Sequence, residues 1–247
     1  MPAYEDEAIV LRHYSLSDAD RIIVFLTREY GKVRAVAKGA KKLQSRIAGC
    51  LEPLSHIRLE LYAREGKDLF QIRRAELVRS YLGKSPSLQQ IYAFTYFAEL
   101  CNEIAQDNQV NQPLFRLMLA SLSAGEKYGV SPLLLRYFEV WCLKLSGLLP
   151  NYDYCSNCGK CVKDDEFFAW LEAGQARCGA CAQERGLRIG ASASTALVTM
   201  ARLSPEQFIA QPFTENEIRE IERLTHRLLD MHLEKQLKSY RILKEAL

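Results

Sequence analysis

The stretch Ile57-Arg-Leu-Glu-Leu61 alternates apolar and charged residues, as a strand with one buried face does. It lies in the predicted strand Leu54–Tyr62, and the other predicted strands are Glu7–Arg12, Arg21–Thr27, Val33–Ala37 and Leu69–Glu76. Turn residues such as Tyr30-Gly31 separate neighbouring strands, because glycine tolerates backbone angles that other residues avoid. Five such strands in roughly 80 residues predict a small β-barrel at the start of the chain.

Beyond the strands, the apolar period changes from two residues to three or four near residue 80, which predicts helices. The predicted helices begin after Ser85-Pro86, at Pro113 (to about Lys127), at Pro132 (to about Ser146), at Leu197 (to Leu203) and at Thr214 (to about Lys244). The prolines suit a first helical turn, and Thr214-Glu-Asn-Glu217 resembles a capping box. The second part of the chain is therefore predicted to be mainly helical.

Cysteines supply the strongest local motif, in which Cys155-Ser-Asn-Cys158-Gly159 is followed by Cys178-Gly-Ala-Cys181. The spacing C-x2-C-x19-C-x2-C can bring two thiolate pairs to one ion, since each pair fits a tight turn. Four sulfur ligands complete the tetrahedron that zinc prefers and leave no position for a catalytic water. We predict one structural zinc ion held by Cys155, Cys158, Cys178 and Cys181, in a module over residues 151–186 whose own core is slight.

Three other interpretations of these cysteines stay open from spacing alone: a redox-active pair, an iron–sulfur cluster, and unrelated free thiols. Cys161 extends the first pair as Cys155-x2-Cys158-x2-Cys161, so a cluster or ligand exchange is also conceivable, and the role of Cys161 is undetermined. The remaining cysteines lie in apolar contexts and are predicted to be small core residues: Cys50, Cys101 and Cys142.

A basic run without Asp or Glu lies between Glu29 and Glu52. On a strand and the loop after it, such side chains can line a groove that follows a phosphate backbone. A loop that is basic for solubility is the alternative, and charge alone does not decide between them. The basic residues are Lys32, Arg34, Lys38, Lys41, Lys42 and Arg46. The nearby aromatic residues divide into candidates for base stacking, Tyr14 and Tyr30, and a predicted core residue, Phe25.

The composition is that of an ordinary globular protein, with 48% hydrophobic and 26% charged residues in a chain of 247. No apolar stretch is long enough to span a bilayer, and the acidic start Met1-Pro-Ala-Tyr-Glu-Asp-Glu7 is unlike a secretory signal. We therefore expect a cytoplasmic protein, whose clustered cysteines bind metal rather than form disulfides. The net charge of +3 is too small to identify a nucleic-acid partner. No compact set of nucleophile, base and stabiliser is recognisable, so we expect no catalytic site.

Three blocks of sequence, residues 20–42, 136–159 and 232–243, resemble the bacterial RecO family of DNA-repair proteins. Its first domain is similar to Asp20-Arg-Ile-Ile-Val-Phe-Leu-Thr-Arg-Glu-Tyr-Gly31-Lys32, which leads into Val36-Ala-Lys-Gly-Ala-Lys-Lys42. The helix before its zinc module resembles Arg136-Tyr-Phe-Glu-Val-Trp-Cys-Leu-Lys-Leu-Ser-Gly147, which is followed by Pro150 and the first cysteine pair. Its closing helix is similar to His232-Leu-Glu-Lys-Gln-Leu-Lys-Ser-Tyr-Arg-Ile-Leu243. The blocks occur in order and extend over nearly the whole chain.

The resemblance implies an α+β multidomain protein: an N-terminal OB-fold β-barrel over residues 1–80, then an α-helical domain over 81–247 with the four-cysteine zinc module inserted at 151–186. It implies a non-enzymatic mediator of recombinational repair that binds single- and double-stranded DNA and anneals complementary strands. With the partner RecR, such a protein helps to load RecA. The basic run then becomes a DNA-binding surface, to which Arg21 is a weaker addition. The protein would be cytoplasmic, and at the nucleoid when it binds DNA.

The resemblance also implies contact with the C-terminal tail of single-stranded-DNA-binding protein. A tail that is acidic and ends in phenylalanine needs an apolar pocket rimmed by basic residues, which the resemblance places in the helical domain. The candidate residues are Phe115, Arg116, Leu119 and Arg136. Ordinary helix packing with exposed arginines is the alternative. For the chain as a whole, a zinc-ribbon protein that binds RNA or acts as a transcription adaptor is the second hypothesis, and an unrecognised hydrolase is the third.

Overall fold

The computed structural model describes residues 3–45, 47–63, 69–83, 85–233 and 235–246. The chain divides into two compact units, one formed by residues 1–126 together with 237–247 and the other by residues 127–236. The chain therefore leaves the first unit after residue 126 and returns to it at residue 237. The predicted domain boundary near residue 80 divides the barrel from the helices, and it does not coincide with the division between these two units. It stays a prediction.

Five strands of the first unit form a barrel: β1 Ala3–Ser15, β2 Arg21–Thr27, β3 Lys32–Ala37, β4 Ser55–Tyr62 and β5 Phe70–Ser80. They pair in the order β1-β2-β3-β5-β4, and β4 pairs in turn with β1. The contact between β3 and β5 is short and parallel, whereas the other pairings are antiparallel. A 3-10 turn, Ala48–Leu51, lies between β3 and β4. The predicted OB-type barrel is confirmed, with β1 and β5 longer than predicted.

The strand β4 shows how the sequence produces the barrel. Ile57, Leu59 and Leu61 are buried inside it, whereas Arg58 between them is exposed. The alternation that predicted the strand is therefore the alternation between the interior of the barrel and its outer surface. Phe25 on β2 is fully buried, as predicted. Residues of the other strands complete the core, among them Ala8, Val10, Ile23, Val33, Ala35 and Ala75.

Three helices contribute to the first unit: α1 Leu88–Ile104, α2 Gln112–Tyr128 up to residue 126, and α8 Lys238–Ala246. Ser87 begins α1 as a capping box, because its hydroxyl accepts from Gln90 N while the Gln90 side chain accepts from Ser87 N. α1 packs against α8 and against β1 and β2. Gly31, in the turn between β2 and β3, has φ +71°, and a Cβ there would lie 1.9 Å from Gln109 O. Glycine at this position lets the turn approach the segment after α1.

The second unit combines helices with a small antiparallel sheet. Its elements are α3 Pro132–Leu145, β6 Phe167–Trp170, β7 Gln175–Arg177, α4 Gly179–Ala182, β8 Leu187–Ile189, α5 Ala191–Met200, α6 Pro205–Ile209 and α7 Glu215–His232. The strands of the sheet pair in the order β7-β6-β8. The helix α3 packs against α6 and α7, and α5 packs against α7. None of the helices in the described part of the chain is both long enough and apolar enough to cross a membrane.

The C-terminal segment differs from the single long helix that was predicted. The helix α7 ends at His232, and α8 begins at Lys238. Neither glycine nor proline occurs after Thr214, so no local signal marks the interruption. The two helices have separate partners, because α7 packs on α3 in one unit and α8 packs on α1 in the other. Tertiary packing therefore ends α7 where local propensity would continue it.

Two shorter helices also differ from prediction. The helix predicted at Leu197–Leu203 is α5, which begins at Ala191, and α6 was not predicted. The first turns of α5 are rich in alanine and serine, which give little apolar periodicity. A capping box at Ser204, with Pro205 at the first turn, starts α6, but five residues are too few to show a helical period.

A buried ionic network joins α3 to α7. The Arg136 guanidinium lies 2.7 Å from Glu139 Oε1 and 3.3 Å from Glu222 Oε2. Thr225 Oγ1 donates to Glu139 Oε2 at 2.6 Å, and His226 Nε2 lies 3.3 Å from Glu139 Oε1. Burial alone would raise the pKa of Glu139, but the charges of Arg136 and His226 and the hydrogen bonds from His226 and Thr225 lower it to about 2. The carboxylate is therefore ionised and held by several donors within the folded unit.

This network predicts acid-sensitive stability. The pKa of Glu139 is lower in the folded protein than its ordinary value of 4.5. Its stabilisation is therefore present above about pH 4.5 and lost as the pH falls toward 2. We expect Glu139→Gln to lower the free energy of unfolding by about 3 kcal/mol at pH 7 and to weaken its dependence on pH in that window. Urea unfolding from pH 7 to pH 2.5 measures both effects.

The matched control is Glu172→Gln, which removes one exposed carboxylate from the same unit. Release of metal at low pH affects wild type and both variants, so it cancels when their unfolding free energies are subtracted. Wild-type pH dependence in Glu139→Gln would contradict the ionised network.

Candidate metal centre and nucleic-acid interface

Two tight turns position the cysteines of the predicted zinc motif. In the first, Gly159 N donates to Cys155 O at 2.9 Å, and Gly159 has φ +72°. In the second, Cys178 is the N-cap of α4, and Cys181 N donates to Cys178 O at 3.0 Å. Ser156 N donates to Ala176 O at 2.8 Å, which fixes the first turn against β7. The sequence therefore produces the two cysteine-bearing turns that the spacing predicted.

The four sulfurs of Cys155, Cys158, Cys178 and Cys181 lie within 4.8 Å of one another. The Cys158 and Cys178 sulfurs are 3.8 Å apart. Four thiolates at about 2.3 Å from one zinc ion would be about 3.8 Å apart from each other, so the cluster has the size of a tetrahedral site. The four cysteines could therefore hold one metal ion. Asn157 Nδ2 donates to Cys181 Sγ at 3.3 Å, as a partner outside the ligand set does in a thiolate site.

The thiols differ in acidity. Burial opposes ionisation of Cys155, but backbone N–H groups of Cys178, Cys158 and Asn157 stabilise its thiolate and lower its pKa to about 6. At Cys158 the Lys160 backbone N–H favours the thiolate, yet the neighbouring thiols raise the pKa to about 11. The sulfurs thus compete for negative charge. A divalent cation among them would compensate that charge, which is why a four-thiol cluster fits zinc.

The other cysteines lie apart from this cluster. Cys161 is exposed and does not belong to the set of four sulfurs. Cys101 and Cys142 are buried, as predicted, whereas Cys50 is partly exposed and packs against the barrel core. Among the described residues, the four sulfurs of the cluster are therefore the donor set that the structure brings together.

Lys32 is the first of the predicted phosphate contacts, and the structure places it in the interior. Its residue exposure is 8%. The ammonium donates to Asn102 O at 2.7 Å and lies 3.0 Å from Asp107 Oδ1. A phosphate contact would require this buried pairing to break, so the placement favours a structural role. No sequence signal identifies Asp107 as the partner, because the two residues are distant along the chain.

Two of the predicted arginines are also paired with carboxylates. Arg34 is exposed, and its guanidinium lies 3.0 Å from Asp107 Oδ2. Arg21 is partly buried and lies 2.9 Å from Glu52 Oε1. Both charges are partly compensated within the protein, which weakens their attraction for phosphate. Arg46 lies outside the described residues.

The remaining lysines form an exposed basic loop after β3. Lys38, Lys41 and Lys42 are exposed, and none has a carboxylate partner among the ion pairs of the described residues. Lys41 contacts the β1–β2 loop, since its N donates to Ala19 O at 3.0 Å and its Nζ to Ser17 O at 2.6 Å. The two loops therefore meet on the same side of the barrel, where the loop after β3 presents three lysines that form no ion pair with the described residues.

The two tyrosines proposed for base stacking differ in accessibility. Tyr14 is 40% exposed, and the Arg12 guanidinium lies 4.2 Å from the centre of its ring. Tyr30 is half-buried against the barrel core, with its ring 5.3 Å from that of Tyr4. Tyr14 is therefore the accessible one, and the Arg12–Tyr14 pair is a surface feature that the sequence did not single out.

The four candidates for the protein tail do not all belong to the same unit. Phe115 is buried in the first unit, where its ring centre lies 6.2 Å from that of His56. Arg116 is exposed and Leu119 partly exposed on the same helix, α2. Arg136 belongs to the second unit and is 3% exposed within the ionic network. Helix packing accounts for Phe115 and Arg136, while Arg116 stays accessible to a partner.

Comparison with known proteins covers both parts of the chain. The family model described as Recombination protein O N terminal matches residues 1–81, and the one described as Recombination protein O C terminal matches residues 85–241. The chain belongs to the RecO family. RecO proteins are DNA-binding mediators of recombination and repair and are not known as catalytic enzymes. Family membership therefore confirms the resemblance and, with it, a role in DNA repair and recombination.

Individual RecO relatives match over nearly their whole lengths. The DNA repair protein RecO of Koribacter versatilis is 32% identical over 241 residues, which cover 94% of this chain and 95% of the relative. That of Anaeromyxobacter dehalogenans is 32% identical over 239 residues, with 96% and 94% covered. That of Geobacter metallireducens is 31% identical over 245 residues, with 99% and 98% covered.

Removal of one sulfur from the four-cysteine cluster should reduce both metal binding and thermal stability. We expect Cys158→Ser to lose stoichiometric zinc, because three thiolates and a hydroxyl hold the ion less tightly. The melting temperature should fall by about 6 to 12 °C, which corresponds to a loss of about 3 kcal/mol for a chain of this size. Elemental analysis of the purified protein and thermal unfolding measure the two effects.

Cys161→Ser is the matched control, since Cys161 is an exposed cysteine near the same turn. It should retain wild-type zinc content and melting. A Cys158→Ser protein with wild-type metal content and wild-type melting would contradict the four-sulfur site.

Proposed function

We propose that this protein binds single- and double-stranded DNA and anneals complementary strands. With RecR it helps to load RecA on strands coated by single-stranded-DNA-binding protein. The supporting observation is the uncompensated basic loop, Lys38, Lys41 and Lys42, on an OB-type barrel of a RecO-family protein. We place this activity in the cytoplasm, at the nucleoid when DNA is bound.

The loop geometry suits a phosphate backbone. OB-fold barrels bind oligonucleotides through the strand face of β2 and β3 and through loops that include the one between β1 and β2. Here the basic loop follows β3 and contacts the β1–β2 loop through Lys41. Exposed lysines without carboxylate partners can displace the counterions that surround DNA, and that release favours binding. The paired residues Lys32, Arg34 and Arg21 contribute less to this term.

Annealing needs no hydrolysis in this proposal. Two single strands repel each other through their phosphates, and basic side chains that hold both strands lower that repulsion. The four-sulfur centre would occupy all tetrahedral positions of a zinc ion, so that ion would supply a structural cross-link between two turns. The residues of this chain then act by binding and positioning strands.

The contacts with RecR and with the tail of single-stranded-DNA-binding protein are part of the same proposal. An acidic tail would be attracted to exposed basic side chains, and Arg116 on α2 is accessible for this purpose. The adjacent Leu119 is partly exposed and adds apolar surface. We therefore retain Arg116 and Leu119 as candidates for the tail, whereas Phe115 and Arg136 support the fold.

Neutralisation of the basic loop tests its role in DNA binding. The double variant Lys41→Gln and Lys42→Gln should weaken binding to single-stranded DNA of any sequence by similar factors. If each lysine neutralises one phosphate, the slope of log affinity against log salt should become shallower by about 1.4. Fluorescence anisotropy with labelled oligonucleotides over a range of salt concentrations measures the slope.

Arg73→Gln with Arg74→Gln is the matched control on the same barrel. Both arginines are exposed on β5, and both are paired with carboxylates, Glu60 and Glu76. This variant loses the same charge but should retain a nearly wild-type salt slope. An unchanged slope in the lysine variant would show that DNA binds elsewhere.

Annealing of coated strands tests the mediator function directly. Zinc-replete protein should accelerate annealing of complementary strands that carry single-stranded-DNA-binding protein, and the acceleration should fade as salt rises. A fluorescence pair on the two strands reports the rate. The control is the double variant Lys41→Gln and Lys42→Gln, which lacks two of the three lysine charges of the basic loop.

Two outcomes would change the proposal. If coated strands anneal no faster with the protein than without it while naked DNA is bound, the mediator activity is withdrawn and DNA binding is kept. A clear preference for RNA over DNA would favour the RNA-binding zinc protein instead.

A further inference from the structure

Large exposed apolar side chains occur beside the lysines where the β1–β2 loop and the basic loop after β3 meet. Leu43 follows the lysine pair and is fully exposed, at 104%. Leu16, at the start of the β1–β2 loop, is 48% exposed. Tyr14, at the end of β1, is 40% exposed. Water therefore surrounds a leucine that makes little contact within its own unit.

The hydrogen bonds at this junction bring the two leucine-bearing loops together. Leu16 N donates to Asp20 O at 3.0 Å, which closes the β1–β2 loop on itself. Lys41, two residues before Leu43, donates from Nζ to Ser17 O at 2.6 Å. Gly39 N donates to Asp20 Oδ1 at 2.8 Å. Leu16 and Leu43 are thus within two residues of the contact between Ser17 and Lys41.

Single exposed leucines are common on protein surfaces and need no explanation. The arrangement here differs because the apolar side chains and the uncompensated lysines share two touching loops. Leu77 and Val78 on β5 offer a comparison, since each is 47% exposed. Their neighbours Arg79 and Glu76 are each in an ion pair, with Glu126 and Arg74 respectively. The β5 pair therefore lacks the adjacent unpaired positive charge.

We propose that Leu16 and Leu43, with Tyr14, contact unpaired bases of single-stranded DNA while Lys38, Lys41 and Lys42 hold its phosphates. This inference rests on the proposed function, because it assigns the strand-recognition part of the same surface. Apolar side chains of this kind can contact the faces of bases that are unstacked in a single strand. The positive charge of the lysines is complementary to the negative charge of a phosphate backbone, which favours nucleic acid as the ligand of this surface.

The consequence is a preference for single strands. Lysines meet phosphates in single and double strands alike, so electrostatic contacts alone do not favour the single strand. Bases of a duplex are stacked and paired, and they present no free faces to Leu16 or Leu43. The apolar contacts therefore form with each single strand and are lost when that strand pairs. Loss of these contacts would help to release the annealed product.

The test compares two forms of DNA with one double variant, Leu16→Ser with Leu43→Ser. Its affinity for oligothymidylate should fall by about five- to twentyfold, while that for a duplex of equal length changes by less than about twofold. The salt slope should stay at its wild-type value, because no charge is removed. Anisotropy titrations at several salt concentrations give all three quantities.

Leu77→Ser with Val78→Ser is the matched control, since it removes two similarly exposed apolar side chains from the same barrel. It should bind both DNA forms as wild type does. Wild-type single-strand affinity in the Leu16 and Leu43 variant, or an equal loss for both DNA forms, would overturn the assignment. Failure of the proposed function is distinct: wild-type protein would then bind neither form, or the lysine variant would keep its salt slope.

Discussion

The buried ammonium of Lys32 links β3, the strand on which the basic run begins, to the helical part of the first unit. It lies between the carbonyl of Asn102, at 2.7 Å, and the Asp107 carboxylate, at 3.0 Å, so β3 is held to the segment after α1. A buried ammonium is costly unless it is paired and hydrogen-bonded, and removal of either partner would leave that cost uncompensated. The approach of Gly31 to Gln109 belongs to the same contact. At the other end of β3, the loop that follows contacts the β1–β2 loop through Lys41.

Ion pairing also distinguishes basic residues that support the fold from basic residues that are exposed to a ligand. Arg136 and Lys32 are buried with carboxylates, whereas Lys41 and Lys42 are exposed without them. The sequence shows a one-signed run and cannot show this difference, because Asp107 is remote from Lys32 along the chain. A charge run thus indicates a region of the barrel that is rich in basic residues, while pairing across the fold determines which members of the run are exposed without an ion-pair partner.

Elements were predictable where the residues that determine them are close together in the sequence. Alternation predicted β4, and the cysteine spacing predicted the four-sulfur cluster, because both signals are local. The interruption between α7 and α8 was not predictable from local sequence, since the two helices pack on different partners, α3 and α1. The bridge from Arg136 to Glu222 was missed for the same reason. Contacts between residues that are remote along the chain produce no periodic pattern in the sequence.

Annealing requires a surface that binds each single strand yet does not retain the duplex. Lysines alone would hold the product, because a duplex carries a higher density of phosphate than a single strand. Contacts to bases have the opposite preference, since pairing and stacking remove the faces that Leu16 and Leu43 would touch. A loop that places both kinds of side chain together can bind strands through phosphate and base, then lose the second kind of contact as pairing proceeds. The free energy of base pairing would in this way weaken the hold of the protein on the product.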